Sequence, residues 1–187
     1  MEKFDVVKRD IVPSFDLEEF MIMSQESRLG GATLERLAKL WQDWSQLLDV
    51  REIKFDKASY LAIWLPESVE DEVDKTWSQS PSDGYLLSNL AQFMCMSVAQ
   101  EMLPQVESVG CAPAPKPFGA LRECISQFGL NYKKEDVILD RRYAMVTYSP
   151  FRGGCEICCL QSKCPKGLGQ SESMSIVLPG YEHKEND

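Results

Sequence analysis

The spacing of apolar residues in this 187-residue chain changes from a helical period to a strand period and back, and this change most constrains the fold. Leu37, Trp41 and Trp44 recur at steps of three and four, so residues 33–48 are expected to form an amphipathic helix. The next run, REIKFDKASYLAIWLP at 51–66, is rich in β-formers and broken near its middle, which predicts a strand or a hairpin. Both kinds of element must therefore share one domain.

Two more helices are expected downstream. Residues 78–103, SQSPSDGYLLSNLAQFMCMSVAQEML, begin as a loop and continue as a long helix that buries residues such as Leu90 and Met94. The prolines of GCAPAPKPFG, residues 110–119, cannot continue a helix and predict a rigid, partly extended connection. The following stretch, residues 118–129, is expected to be a short helix.

A second β-rich run leads into the C-terminal part of the chain. EDVILDRRYAMVTYSPF, residues 135–151, predicts a hairpin; its basic turn suits an anionic ligand, although a plain turn is the simpler explanation. The elements together favour an α+β fold, with helices packed on a small, mostly antiparallel sheet and a cysteine-rich C-terminal loop. We expect a core domain at 1–150, a metal-binding loop at 151–167 and a C-terminal extension at 168–187.

The chain is acidic, with 20 Lys and Arg against 29 Asp and Glu and a formal charge of −9. Sequence-independent binding of DNA or RNA needs clustered basic side chains that displace counterions, so nucleic acid is not an expected partner. No apolar run approaches the roughly 18 residues of a membrane span. The N-terminal MEKFDVVKRDIVPSF carries charges throughout, unlike a secretory signal. We therefore expect a cytoplasmic protein with no membrane partner.

Four of the seven cysteines lie within ten positions of RGGCEICCLQSKCPKG, residues 152–167. They are Cys155, Cys158, Cys159 and Cys164. In a reducing compartment such a group is more typical of a metal or redox site than of disulfides. The Cys-x-x-Cys unit directs two thiolates to one centre, and the flanking glycines allow the backbone to wrap closely. These four cysteines are therefore the candidate metal ligands.

The cysteine spacing leaves the metal open. Cys164-Pro165 is similar to the end of bacterial ferredoxin runs, although the internal spacing differs. The first interpretation is a [4Fe–4S] cluster bound by three loop cysteines, with the remaining loop cysteine, Cys111 or Cys124 as the fourth ligand. Zinc is the alternative, although only one pair-like unit is present and the sole histidine, His183, lies in a charged tail. Clustered free thiols are the third possibility.

No other catalytic or nucleotide-binding motif is recognisable. The chain has neither a G-x-G-x-x-G fingerprint nor a Walker loop, and His183 is a poor candidate for a catalytic base. The sequence does not decide whether the protein is an enzyme.

Three stretches resemble the activation domain of cobalamin-dependent methionine synthase, and more closely its small stand-alone relatives found with corrinoid proteins in anaerobes. FDLEEFMIMSQESRLGGATLERLAKLWQDWSQLLDVREIKF, residues 15–55, is similar to the family's opening helix pair. SDGYLLSNLAQFMCMSVAQEML, residues 82–103, is similar to its long central helix. GLNYKKEDVILDRRYAMVTYSPFRGG, residues 129–154, resembles its β-hairpin, which in some stand-alone relatives leads into a cysteine-rich loop.

The resemblance implies that the chain docks onto a corrinoid protein, where the cysteine loop helps pass an electron to cobalt or stabilises the docked state. The family's Arg-x-x-x-Gly-Tyr stretch, which binds S-adenosylmethionine, is not matched by GCAPAPKPFGAL, so no residues for that cofactor are carried over. We expect a metal-binding protein that acts in redox activation or maintenance of a corrinoid-dependent methyltransferase system. The alternative is a non-catalytic protein-interaction module with a structural zinc loop.

Overall fold

The computed structural model describes residues 4–133 and 137–164, in which helices pack on both faces of one small sheet. The predicted C-terminal extension at 168–187, including His183, lies outside the described residues. In chain order the elements are β1 (Phe4–Lys8), α1 (Leu17–Ser24), α2 (Gly31–Ser45), β2 (Asp49–Phe55), β3 (Ser59–Trp64), α3 (Glu67–Gln79), α4 (Pro81–Met102), α5 (Gln105–Val109), α6 (Gly119–Ser126) and β4 (Ala144–Tyr148). This arrangement confirms the predicted α+β fold.

All neighbouring strands are antiparallel, in the order β1-β2-β3-β4. The β-rich run at 51–66 forms the β2–β3 hairpin. Side chains alternate along a strand, so Leu61 and Ile63 pack on one face of β3 while Tyr60 and Trp64 pack on the other, and all four are buried. Strand β3 is therefore covered on both faces.

The larger core lies between the sheet and α1–α4. Helix α4 buries the face predicted from its spacing, which consists of Leu86, Leu87, Leu90, Phe93, Met94 and Val98. The aromatic rings of Phe15, Phe20, Trp41 and Phe93 lie with centroids 4.9–6.0 Å apart. These rings join α1 and α2 to α4, so the larger core links the first two helices to one that is distant in sequence.

Helix α2 differs from its prediction at both ends. It begins at Gly31, two residues before the expected start, and it ends at Ser45. Leu47 is therefore outside the helix and is 47% exposed. The acidic stretch that follows β3 forms helix α3, which buries Val69 and Val73 and leaves most of its carboxylates in solvent.

The smaller core lies on the opposite face, where α6 buries Leu121, Cys124 and Ile125 against β3 and β4. The proline-rich connection, residues 110–118, links the two cores and has no regular secondary structure, as predicted. Ala112 packs against the larger core and Phe118 against the smaller. The connection therefore crosses from one face of the sheet to the other, and the buried Thr147 Oγ1 of β4 donates a 2.9 Å hydrogen bond to the Pro113 carbonyl.

The hairpin predicted within 135–151 is not present in the described residues. Strand β4 pairs with β3, whereas Leu139 forms a bridge with Tyr132, which precedes the undescribed residues 134–136. The edge of β3 offers β4 a ladder of five residue pairs and a buried position for Val146 and Thr147. Such long-range pairing cannot be read from local strand signals. No helix in the described part of the chain has both the length and the apolar character needed to cross a bilayer.

Candidate metal centre

Two segments without regular strands build the candidate metal centre: the proline-rich connection and the loop that follows β4. The Cys159 N–H donates a 2.9 Å hydrogen bond to the Ala114 carbonyl. The Ala114 N–H in turn donates a hydrogen bond to Cys158 Sγ at 3.4 Å. These paired contacts hold the cysteine loop along the proline-rich connection, although the two segments are more than forty residues apart in sequence.

A small cavity of about 20 Å³ separates the two segments. Four thiols line it, those of Cys111, Cys155, Cys158 and Cys164. The remaining lining residues are Val109, Pro113, Gly154 and Gln161. The structure thus brings three of the four predicted loop ligands to one place, together with Cys111 from the preceding connection.

Cys159 points away from this cavity. Its thiol donates a 3.2 Å hydrogen bond to the Pro115 carbonyl, on the other side of the loop backbone. Burial raises the pKa of the Cys159 thiol above its usual value, and the neighbouring Cys158 sulfur raises it further. The Cys158-Cys159 pair therefore divides: Cys158 faces the cavity, and Cys159 anchors the loop to the proline-rich connection.

Cys124 and Cys95 lie in the two cores and do not line the cavity. Burial raises the pKa of Cys124 to about 11, against a smaller opposing effect of Arg51, and burial raises the pKa of Cys95 to about 12. Both thiols are therefore neutral at physiological pH. Of the two candidates for a fourth ligand outside the loop, only Cys111 is beside the loop thiols. None of the seven cysteines, all within the described residues, forms a disulfide.

Local sequence shapes the loop into two short turns. Gly153 has φ +55°, a backbone conformation that favours glycine; a Cβ atom there would also lie 2.6 Å from Glu156 Oε1, which would have to move aside. Two 3-10 turns follow, Cys155–Ile157 and Gln161–Lys163. The N–H after each turn donates to its first carbonyl, which places Cys158 and Cys164 directly at the turn ends.

The residues that line this cavity favour a metal centre, whereas the present positions of their side chains do not form one. Four thiols surround one void, yet among residues 4–133 and 137–164 no three Cys, His, Asp or Glu side chains are arranged to hold a single metal ion. A tetrahedral zinc would need sulfur atoms about 3.8 Å apart, given Zn–S bonds of about 2.3 Å. The shared lining still permits a common centre, because rotation about Cα–Cβ moves each sulfur while the backbone stays in place.

The chemistry of the four cysteine ligands fits an iron–sulfur cluster, but the cavity between them is too small for one. Four cysteines are the usual ligands of a [4Fe–4S] cluster, and a backbone N–H directed at a ligand sulfur, as from Ala114 to Cys158, is the kind of contact that tunes such clusters. The cavity has room for about one water molecule. The loop would therefore have to move outward from the proline-rich connection to admit a cluster.

No model of a known protein family matches the chain, and no curated protein is significantly similar to it. The resemblance to the methionine synthase activation domain therefore stays a prediction. The metal assignment depends on the geometry of the site.

Proposed function

We propose that the protein binds a [4Fe–4S] cluster through Cys111, Cys155, Cys158 and Cys164 and acts in redox activation or maintenance of a corrinoid-dependent methyltransferase system. The observation that carries the metal assignment is the common cavity lined by these four thiols. The ligand set differs from the four loop cysteines expected from the sequence, because Cys159 is directed to Pro115 and Cys111 takes its position.

The corrinoid role rests on the sequence resemblance and on where the cysteine loop lies. The four cavity cysteines are only partly buried, and Ile157 between them is 37% exposed. A cluster this close to the surface is accessible to a docked protein partner. Held by Cys111, Cys155, Cys158 and Cys164, such a cluster would supply one-electron transfer to a corrinoid cobalt, with an external low-potential reductant as the source of the electron.

Metal analysis of the full chain purified without air tests the proposal. We expect about four iron and four sulfide per chain and a brown absorption spectrum. Cys111→Ser and Cys158→Ser each lose most of the iron. Cys159→Ser is the matched control, because its hydroxyl can still donate to the Pro115 carbonyl, and it retains the iron. Protein without iron, or iron lost from Cys159→Ser but kept in Cys111→Ser, would contradict the proposed ligand set.

The corrinoid step is tested separately with free cob(II)alamin. Reduced, iron-loaded protein freed of excess reductant should form cobalt(I), one per cluster, as its absorption bands replace those of cobalt(II). The Cys158→Ser protein supplies the baseline. Iron-loaded protein that leaves cob(II)alamin unchanged would argue against electron transfer to cobalt and leave the cluster assignment standing.

A structural zinc loop in a protein-interaction module is the second candidate function. The small volume of the cavity favours it, since one ion needs less expansion than a cluster. It predicts one zinc per chain, little iron, and loss of loop order in a strong chelator. The same elemental analysis therefore separates the two candidates.

A further inference from the structure

A second and much larger cavity lies on the other side of the proline-rich connection. Its volume is about 590 Å³, within the range of roughly 300–1,000 Å³ that small-molecule sites occupy. Ala112 and Ala114 line this larger cavity. Cys111 and Pro113 alternate with them along the chain and line the small cavity between the cysteines. One thickness of backbone therefore separates the two cavities.

The larger cavity has an apolar side and a charged side. Ala112, Ala114, Ala144, Val146 and Leu160 provide apolar surface from three separate segments. The charged lining residues are Glu70, Lys133, Asp140, Arg141 and Arg142. A ligand that fits both sides has an apolar body and a charged end.

The carboxylates of this cavity already accept hydrogen bonds from the protein. Asp140 accepts from the backbone N–H and the side-chain amide of Asn131, at 2.9 and 3.0 Å. Glu70 Oε1 accepts from the Arg142 N–H at 2.9 Å. These contacts reduce the capacity of both carboxylates to bind a cationic ligand.

The basic side chains of this cavity have more capacity than the carboxylates to bind a ligand. The Arg142 guanidinium is held by both oxygens of Asp74, at 2.6 and 2.9 Å. Within residues 4–133 and 137–164, Arg141 forms an ion pair of 3.0 Å with Glu67, whose side chain is 68% exposed, while the Arg141 side chain is 24% exposed. Lys133 adds a second exposed cation at the rim. A half-buried guanidinium paired with a solvated carboxylate can exchange that partner for a ligand anion at small cost.

We propose that this cavity binds a small organic anion, with its apolar body on Ala112, Ala114 and Leu160 and its acid group on Arg141. The inference depends on the cavity and its charges and does not require the metal proposed above. Carboxylate and phosphate ligands share this chemistry. The position of the cavity puts the bound anion directly beside the thiol site.

The test is a titration of the full, metal-free chain followed by amide NMR shifts and calorimetry. The probes are 2-naphthoate, 2-naphthyl phosphate and the neutral 2-naphthamide, which share one apolar body. We expect the amides of Ala112, Ala114 and Val146 to shift, and at least one anion to bind about tenfold or more tightly than the amide. The stronger of the two anions identifies the acid group.

Arg141→Gln should weaken anion binding about tenfold and leave 2-naphthamide unchanged. Arg36→Gln is the matched control, because Arg36 also forms an exposed ion pair, with Asp83, away from this cavity. Ala112→Leu, which fills the cavity, should weaken all three probes. Equal affinity for anions and amide, shifts elsewhere on the surface, or full-strength binding by Arg141→Gln would overturn the assignment.

Discussion

Individual cysteines in this chain differ in chemistry because they differ in surroundings. Cys158 lines the small cavity and accepts a hydrogen bond from the Ala114 N–H. Its neighbour Cys159 donates a hydrogen bond to the Pro115 carbonyl, and Cys95 is buried in the larger core. Adjacent residues in an irregular segment point to different sides, so two neighbouring thiols cannot be assumed to bind the same centre. The roles of the cysteines follow from direction and burial rather than from their spacing alone.

The buried thiol of Cys95 makes stability depend on pH in the alkaline range. Its pKa is about 12 in the fold, against about 8.5 in an unfolded chain. Between these values the folded state holds a proton that the unfolded state has lost, so stability is complete below about pH 8.5 and falls as pH rises towards 12. The expected slope from this thiol is about 1.4 kcal/mol per pH unit.

Cys95→Ala removes this titration. We expect urea unfolding of the reduced protein, measured at several pH values from 8 to 11, to show this difference. The free energy of unfolding should fall with pH less steeply in the variant, by the equivalent of about one bound proton. The variant should also lose about 1 kcal/mol at pH 7 from the missing sulfur. Parallel pH profiles for the variant and the wild type would contradict the assigned pKa.

At the scale of elements, helices α3 and α4 approach each other closely at Gly84. A Cβ atom on Gly84 would lie 2.5 Å from Trp77 Cα, which is backbone and cannot rotate away. Glycine in the first turns of α4 is therefore a packing requirement, and Trp77, 46% exposed, covers it from the solvent side.

Gly84→Ala should destabilise the protein by about 1–3 kcal/mol, because overpacking of the helix pair outweighs the better helix propensity of alanine. Gly31→Ala is the matched control: it lies at the first residue of α2, where no atom is within 4 Å of the added Cβ, and it should be neutral or slightly stabilising. The measurement is the free energy of unfolding in urea. A neutral Gly84→Ala would show that the two helices are not held at this distance.

The whole molecule has a fold that does not depend on the cysteine loop. Both cores consist of residues up to Phe151, and no described residue of 152–164 belongs to either. The loop is attached to the proline-rich connection by hydrogen bonds of the Cys159 N–H and of the Cys158 and Cys159 sulfur atoms. Metal binding should therefore order the loop and add stability without creating the fold, unlike the metal of a zinc finger.

The variant with serine at Cys111, Cys155, Cys158 and Cys164 tests this independence. We expect its far-UV circular dichroism to match that of the wild type, and its unfolding midpoint to match that of metal-free wild type. Metal-loaded wild type should unfold at a higher denaturant concentration than either. A variant that fails to fold would mean that the loop contributes to the core.

The sequence by itself determined the α+β class, the β structure of residues 51–66 as a strand or a hairpin, the buried face of α4 and the cysteine loop as the candidate site. Each of these is local: apolar periodicity, turn residues and cysteine density act within twenty or so residues. The tertiary structure decided that β4 pairs with β3, that Cys111 joins the loop thiols in place of Cys159, and that a large cavity lies beside them. Those features depend on how the proline-rich connection crosses the sheet edge, and no local pattern encodes which distant segment will meet it there.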